Sequence, residues 1–299
     1  MKLLSQIATR KKATQWIFFM FLSSIAFQNC SKISVQDLGQ ASTKTNAMGL
    51  TPPSAQIICD PLSSGNATLN GGLVGSLTYR PDQVPSGVSF TQVSDYINFG
   101  TKSAQTVYLS QLNVPTRKFT DGFMTQDNSL IRKDHGELLI EYFGLHMETI
   151  LKLSSRDPVG KYQLALLSDD GTILEVHKTS DEKMTLIRND GAHSARFGCA
   201  SSLISMSAET RLPISVDYFQ GPRMHIALVA MWRQLPEGTL TAPADPLCGQ
   251  DGGSNSFYFD SETSPSTPQP AYNQLLSRGW KPISSENFEL PNSATNPCH

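Results

Sequence analysis

The middle of the chain contains short runs in which apolar and polar side chains alternate. Residues 162–166 and 214–218 carry apolar side chains at every second position, which is the period of a β-strand with one buried face. Residues 146–153 alternate in part, and residues 138–143 form a largely apolar run of β-prone types. Residues 224–232 are apolar on both faces and predict a central strand.

Turn-forming sequences separate these runs: Asp157-Pro158-Val159-Gly160, Asp170-Gly171, Asn189-Asp190-Gly191 and Gln220-Gly221-Pro222. Many short strands joined by such turns favour an antiparallel β-sandwich or barrel. The sequence shows no long amphipathic helix and no internal repeat. We therefore predict an all-β fold and assign residues 59–236 to one β-sandwich domain.

Residues 237–299 differ in composition, because Pro, Ser, Thr and Asn dominate them. One short helix is expected from Ala271 to Arg278, and Trp280 and Phe288 are expected to anchor the segment to the main domain. So few apolar residues could not form a core of their own. We predict a loop-rich C-terminal segment closed by a disulfide.

The N-terminus predicts export. The basic residues Lys2, Arg10, Lys11 and Lys12 precede an apolar run from Trp16 to Phe27, which has the length of a signal-peptide core. That run is shorter than the roughly 20 apolar residues of a membrane span. Residues 1–29 are therefore a predicted signal peptide, and residues 30–58, rich in Ser, Thr, Gln, Asn and Pro, are a predicted flexible tether.

The end of the signal, Ala26-Phe27-Gln28-Asn29-Cys30-Ser31, resembles the lipobox of bacterial lipoproteins. The resemblance implies that Cys30 becomes the lipidated first residue of the mature chain. Ser31 is not the Asp that favours inner-membrane retention in that family. The expected location is the outer membrane, on a face that the sequence does not specify.

The charge balance excludes one class of partner. The chain has 24 basic and 26 acidic residues, and residues 1–29 hold four of the bases and no acid. The mature part therefore keeps 20 bases against 26 acids, a net charge of −6. Without a basic block, nucleic-acid binding is not expected.

The cysteines agree with export to an oxidising compartment. Apart from Cys30, four remain, and an even number suggests two disulfides. Three pairings are possible, of which we favour Cys248–Cys298 and Cys59–Cys199. No CxxC spacing indicates a zinc site.

Two adjacent acids, Asp169 and Asp170, end the strand that begins at Tyr162. Consecutive side chains on a strand point to opposite faces, so acids that act together there need a turn or an unusual peptide. The pair has two interpretations. It is either a polar turn with Gly171 or an oxygen site for a hard cation such as Ca²⁺.

Four stretches between about residues 71 and 236 resemble the PA14 domain family, a β-sandwich module of bacterial toxins, glycosidases and yeast adhesins. They occur in the family's order: Gly72-Leu73-Val74-Gly75-Ser76-Leu77-Thr78-Tyr79, then residues 160–172 with Ser168-Asp169-Asp170-Gly171, then residues 187–193, then residues 212–221 followed by residues 224–232. Residues 80–133 match poorly and are expected to be an insertion.

The resemblance implies a role for the two acids. In carbohydrate-binding members the equivalent residues are joined by a cis peptide and share a Ca²⁺ that coordinates sugar hydroxyls. The implied metal ligands here are Asp169, Asp170 and the side-chain oxygen of Gln220. Gly221 could add a carbonyl oxygen, and Arg223 would repel the ion or pair with one of the acids. Asp169, Asp170, Gln220, Gly221 and Arg223 are the predicted ligand-binding residues.

Three functions remain open at this point. The first is a lipid-anchored adhesin or lectin that binds glycans or cell-surface polysaccharide through Ca²⁺. The second is a structural or protein-interaction lipoprotein whose acids only form a turn. The third is a carbohydrate-active enzyme, which is the least favoured, because neither a Gly-x-Ser-x-Gly nor a His-Glu-x-x-His motif is present.

Overall fold

The computed structural model describes residues 56–62, 67–120, 122, 130–133, 135–179, 182–222, 224–253 and 256–299. These residues belong to one compact unit, Thr51–His299. The predicted signal peptide, Cys30 and most of the predicted tether lie outside the described residues, as does Arg223.

Two β-sheets dominate the described part of the chain. The larger sheet has eight strands in the order β1-β3-β2-β5-β11-β7-β8, with β16 paired to β5. The smaller has six, in the order β10-β6-β12-β15, with β4 on β12 and β9 on β6. The β1–β3 pair is parallel, whereas the other neighbours in both sheets are antiparallel. The predicted all-β, antiparallel class is thus confirmed.

The strands follow the chain in this order: β1 (Ile57–Cys59), β2 (Leu73–Tyr79), β3 (Thr101–Leu109), β4 (Asn113–Lys118), β5 (Phe143–Leu151), β6 (Gly160–Asp169), β7 (Thr172–His177), β8 (Lys183–Asn189), β9 (Arg196–Cys199), β10 (Ile204–Met206), β11 (Leu212–Gln220), β12 (His225–Gln234), β13 (Phe259–Asp260), β14 (Thr267–Pro268), β15 (Lys281–Pro282) and β16 (Phe288–Glu289). Two α-helices join them, α1 (Val93–Phe99) and α2 (Pro270–Ser277). Short 3₁₀ turns occur at Ser285–Asn287 and Pro291–Ser293.

The main core lies between the two sheets. Alternate residues of β5 and β11, such as Leu145 and Val216, contribute one side of it. Leu164, Leu228 and Trp232 of the smaller sheet contribute the other. Apolar inner faces that pack on each other make a sandwich, so the alternation seen in the sequence corresponds to burial on one face.

The smaller sheet is buried on its outer face as well. Leu167, Val229 and Met231 form a second cluster with Leu275 and Trp280 of the C-terminal segment. This cover explains why residues 224–232 are apolar on both faces. The predicted anchors Trp280 and Phe288 are both buried, and α2 confirms the predicted short helix.

The favoured disulfide pairing is wrong. The bonds are Cys59–Cys298 and Cys199–Cys248. The C-terminal segment is therefore not closed on itself. Cys248, near the start of the segment, is bonded to Cys199 of β9, and Cys298 is bonded to Cys59 of β1. The segment contacts both sheets, because β15 pairs with β12 and β16 pairs with β5, so each of its cysteines lies beside a partner in the main domain.

Two further elements differ from the sequence expectation. Residues 138–142 are not a strand; Leu139 is buried in the core, and β5 begins only at Phe143. Helix α1 lies within residues 80–133, the expected insertion, for which the sequence predicts no helix. Among the described residues no helix is long and apolar enough to cross a membrane.

Candidate functional site

The acid pair lies at the end of β6, where the central strand β12 begins. Asp169 pairs with Ala227 in the ladder between these strands, and Asp170 follows in the turn to β7. The peptide bond between the two acids is cis. Both residues are buried, with only 7% of Asp169 and 6% of Asp170 exposed.

Backbone N–H groups from two other loops hold the Asp170 carboxylate. The N–H of His193 donates to Oδ1 over 2.9 Å, and the N–H of Gly221 donates to Oδ2 over 2.8 Å. Three loops therefore converge on one carboxylate: the β6–β7 turn, the β8–β9 connection and the β11–β12 loop.

Gly221 is required at this point of convergence. A β-carbon added to Gly221 would lie 2.9 Å from Oδ2 of Asp170, closer than side chains normally approach. The short N–H to carboxylate contact therefore depends on the missing side chain. The sequence-based expectation that Gly221 belongs to the site is consistent with this contact, although the contact uses its N–H, whereas its carbonyl accepts from the N–H of Tyr142.

Asp169 and Asp170 are two buried carboxyl groups close to each other, and both have raised pKa values. Burial, followed by the charges of Asp170 and Asp251, raises the pKa of Asp169 to about 8, against one opposing hydrogen bond from the Ala195 N–H. Burial also raises the pKa of Asp170, while the N–H groups of Gly221 and His193 oppose that rise. The site therefore disfavours two negative charges unless a cation compensates them.

No lysine or arginine within the described ranges forms an ion pair with either acid. Two hard oxygen donors with uncompensated charge fit a divalent cation such as Ca²⁺. The fit is incomplete, because the described residues contain no group of three His, Cys, Asp or Glu that could hold a metal. The remaining oxygens of a six- to eight-ligand shell would have to come from backbone carbonyls, water or the ligand itself.

Gln220 is engaged inside the fold. Its side chain is fully buried, and its Oε1 lies 2.5 Å from the hydroxyl of Tyr218. Its Nε2 donates to the carbonyl of His225 over 2.8 Å. These contacts brace the β11–β12 loop from within, and the Tyr218 hydroxyl also lies 2.6 Å from the carbonyl oxygen of Asp169. The predicted metal-ligand role of Gln220 stays a prediction.

The segment from His193 to Ala195 was not assigned to the site from the sequence. One of its edges faces the acids through the N–H groups of His193 and Ala195. Its other edge holds the C-terminal segment, because the Ala195 carbonyl accepts from the N–H of Gly252 and the Ser194 hydroxyl donates to Asp251. The C-terminal segment thus contacts residues 193–195 on the edge opposite the acids. These contacts are mainly backbone contacts, and a sequence motif does not reveal them.

Comparisons with solved structures show similarities of fold at low identity. The chain is similar to the PA14 domain of the MpAFP antifreeze protein, with 15% identity and a TM-score of 0.40 over 59% of this chain and 89% of that one. It is similar to a PA14 sugar-binding domain from an RTX adhesin, with 18% identity and a TM-score of 0.37 over 58% and 94%. A third is the epithelial adhesin 6 A domain of Candida glabrata in complex with Galβ1-3GlcNAc, with 12% identity and a TM-score of 0.38 over 64% and 94%.

No protein-family model matches the chain, and no curated protein matches it. Structures described as PA14 domains are among those that this chain resembles. The resemblance is one of fold.

Proposed function

We propose that this protein is a non-catalytic, lipid-anchored envelope protein that binds glycans through a Ca²⁺ site at Asp169 and Asp170. The observation that carries the proposal is the buried acid pair. Its two carboxylates lie where three loops meet, and no lysine or arginine among the described residues forms an ion pair with either of them. Burying uncompensated charge is costly, so a site of this kind favours a cation.

The residues of this chain have distinct tasks in that function. The N–H groups of His193 and Gly221 hold Asp170 in one orientation, and the N–H of Ala195 does the same for Asp169. Gln220 and Tyr218 support the loop that faces the acids. When bound, Ca²⁺ would supply coordination positions at which vicinal sugar hydroxyls replace water.

The decisive experiment is Ca²⁺ titration of the full chain by calorimetry, followed by a glycan array with and without EDTA. We expect a saturable Ca²⁺ site, glycan binding that EDTA abolishes, and loss of both in Asp170→Asn. The matched control is Asp82→Asn, which removes an exposed acid elsewhere. Glycan binding that is indifferent to EDTA and to Asp170→Asn would contradict the proposal.

A second candidate is a structural or protein-interaction lipoprotein without a metal. Both oxygens of Asp170 accept backbone N–H groups, and such bonds stabilise a turn without any ion. This alternative predicts that Asp170→Asn lowers stability while the wild-type protein binds no Ca²⁺. The same titration therefore separates the two functions.

The lipid anchor at Cys30 is a separate part of the proposal. It rests on the lipobox-like sequence and predicts that labelled palmitate is incorporated into the wild-type chain. Cys30→Ser should abolish incorporation and release the protein from the membrane fraction. Equal labelling of both chains would contradict lipidation at this residue.

A further inference from the structure

A cavity of about 210 Å³ lies between helix α1 and the outer face of the larger sheet, and neither Asp169 nor Asp170 lines it. Its apolar wall comes from the helix, through Val93, Tyr96 and Ile97. Ile97 is 52% exposed and stands at the opening, whereas Val93 and Tyr96 are buried. A ligand in this cavity would therefore meet an aliphatic and aromatic surface on one side.

The opposite wall, formed by the sheet, contains Leu145 and Tyr218 together with four polar side chains. Ser76 and Thr78 of β2, Lys102 of β3 and His146 of β5 line it. The Thr78 hydroxyl makes a long contact of 3.4 Å with the carbonyl of Gly144. No described residue hydrogen-bonds the side chains of Ser76 or Lys102, so both are free to contact a ligand.

The cavity is built into the packing of the helix. The helix is close to the sheet at Gly144, where an added β-carbon would lie 2.7 Å from the β-carbon of Tyr96. The N–H of Val93 donates to Asp190 over 2.9 Å, and the Tyr96 ring stacks on Phe219 at 5.2 Å between centroids. These contacts fix the helix, so the space beside it is preformed.

The charged groups of the lining are basic. His146 Nδ1 lies 2.6 Å from Asp217, and that hydrogen bond raises the pKa of the imidazole against the opposing effect of burial. His146 Nε2 lies 3.6 Å from Glu148, within ion-pair distance, so an acid faces each ring nitrogen of this histidine. Asp217 and Glu148 flank the histidine without lining the cavity, and no acid is among the lining residues.

We propose that this cavity binds a single pyranose ring that carries a carboxylate, as in a uronic acid. The volume lies below the roughly 300–1,000 Å³ of pockets for drug-sized ligands, which limits the ligand to about one ring. A pyranose has an apolar C–H face for Tyr96 and Ile97 and a hydroxyl edge for Ser76 and Thr78. The carboxylate pairs with Lys102, the lining cation for which no described residue is a partner.

The test uses the ¹⁵N-labelled full chain titrated with glucuronate, glucose and benzoate in the presence of EDTA. Glucuronate should bind at least about tenfold more tightly than either glucose, which lacks the carboxylate, or benzoate, which lacks the hydroxyls. Its shifts should map to Ser76, Ile97 and His146, and not to Asp169 or Asp170. Because EDTA is present, the result is independent of the proposed Ca²⁺ site.

Two variants sharpen the test. Lys102→Gln should weaken glucuronate binding about fivefold or more, whereas Lys178→Gln, which changes an exposed lysine elsewhere, should leave it unchanged. Lys102 is exposed, so its replacement should not disturb folding. Absence of glucuronate binding, equal binding of glucose or benzoate, or an affinity unaffected by Lys102→Gln would each overturn the proposal.

Discussion

The outer faces of the two sheets differ sharply. The C-terminal segment covers the outer face of the smaller sheet and buries Leu167, Val229 and Met231. The outer face of the larger sheet carries polar and titratable side chains, including His146, Glu175 and Asp217. Helix α1 and the segment before it, through Phe90, pack on one part of this face. A β-sandwich needs one buried face per sheet, so a second apolar face in the sequence signals a cover, whereas a polar one leaves room for ligands.

The cover is also held by charge. Asp245, whose side chain is fully buried, accepts from Arg278 over 2.8 Å and from the indole N–H of Trp280 over 3.0 Å. Arg233 of the central strand lies over the Trp280 ring at 4.6 Å. The segment is therefore an integral layer of the fold.

The largest expected effect tests this layer directly. Trp280→Ala removes the aromatic ring that packs on Phe197 and beneath Arg233, and it should lower the free energy of unfolding by about 3–5 kcal/mol. Urea denaturation followed by far-UV circular dichroism measures it. The matched variant is Phe99→Ala, which removes a 47% exposed ring at the end of α1 and should change stability by no more than about 0.5 kcal/mol. Equal losses in the two variants would contradict the difference between the faces.

A smaller loss of stability should follow from removing the disulfide at the start of the C-terminal segment. The double variant Cys199→Ser, Cys248→Ser opens a covalent link between positions 49 residues apart and should cost about 2–4 kcal/mol. Differential scanning calorimetry at matched pH measures the loss. An unchanged midpoint would mean that packing alone holds the cover.

The smallest expected effect is on the pH dependence of stability, through His146 on the polar outer face of the larger sheet. Because its hydrogen bond to Asp217 raises the pKa of His146 above the unfolded value, the folded state binds the proton more tightly. The stabilisation that the protonated His146 contributes is present in full below the ordinary histidine pKa. It is lost as the pH rises through the pKa of His146 in the folded state. Asp217→Asn should lower the pKa of His146 and flatten that slope.

NMR titration of the His146 ring follows the pKa, and denaturation at several pH values follows the slope. Asp82→Asn serves as the control for the loss of one exposed acid. A His146 titration that is the same in Asp217→Asn as in the wild type would show that the hydrogen bond does not control its proton.

The sequence predicts the fold well where burial is periodic. Strands β6, β11 and β12 and helix α2 follow from spacing alone. Helix α1 has no such signal, since it has seven residues and only Val93 and Tyr96 are buried. Residues 138–142 are largely apolar, and Leu139 among them fills the core. A short apolar run of this kind cannot be told from a strand by periodicity alone. Disulfide pairing depends on which loops meet in space, which spacing does not encode.

The candidate site likewise has residues that the sequence predicts and residues that it does not. The acid pair is visible in the sequence because its residue types and position are informative. The groups that hold it are the N–H groups of His193, Ala195 and Gly221. Any residue other than proline could supply the first two, whereas the third needs glycine because a β-carbon would lie too close to Asp170. Gln220 is an attractive ligand by residue type, yet its amide is used within the loop.

The Cys59–Cys298 bond has a mechanical consequence. It joins positions 239 residues apart and so closes nearly the whole domain into a covalent ring. When force is applied to the chain before Ile57, only β1 lies between the point of pulling and this disulfide. The force is then shared between the residues that follow Cys59 and those that precede Cys298. Strands within the ring need not unravel when the chain is stretched from that side. A single cut in a surface loop would likewise leave the two pieces joined until the bond is reduced.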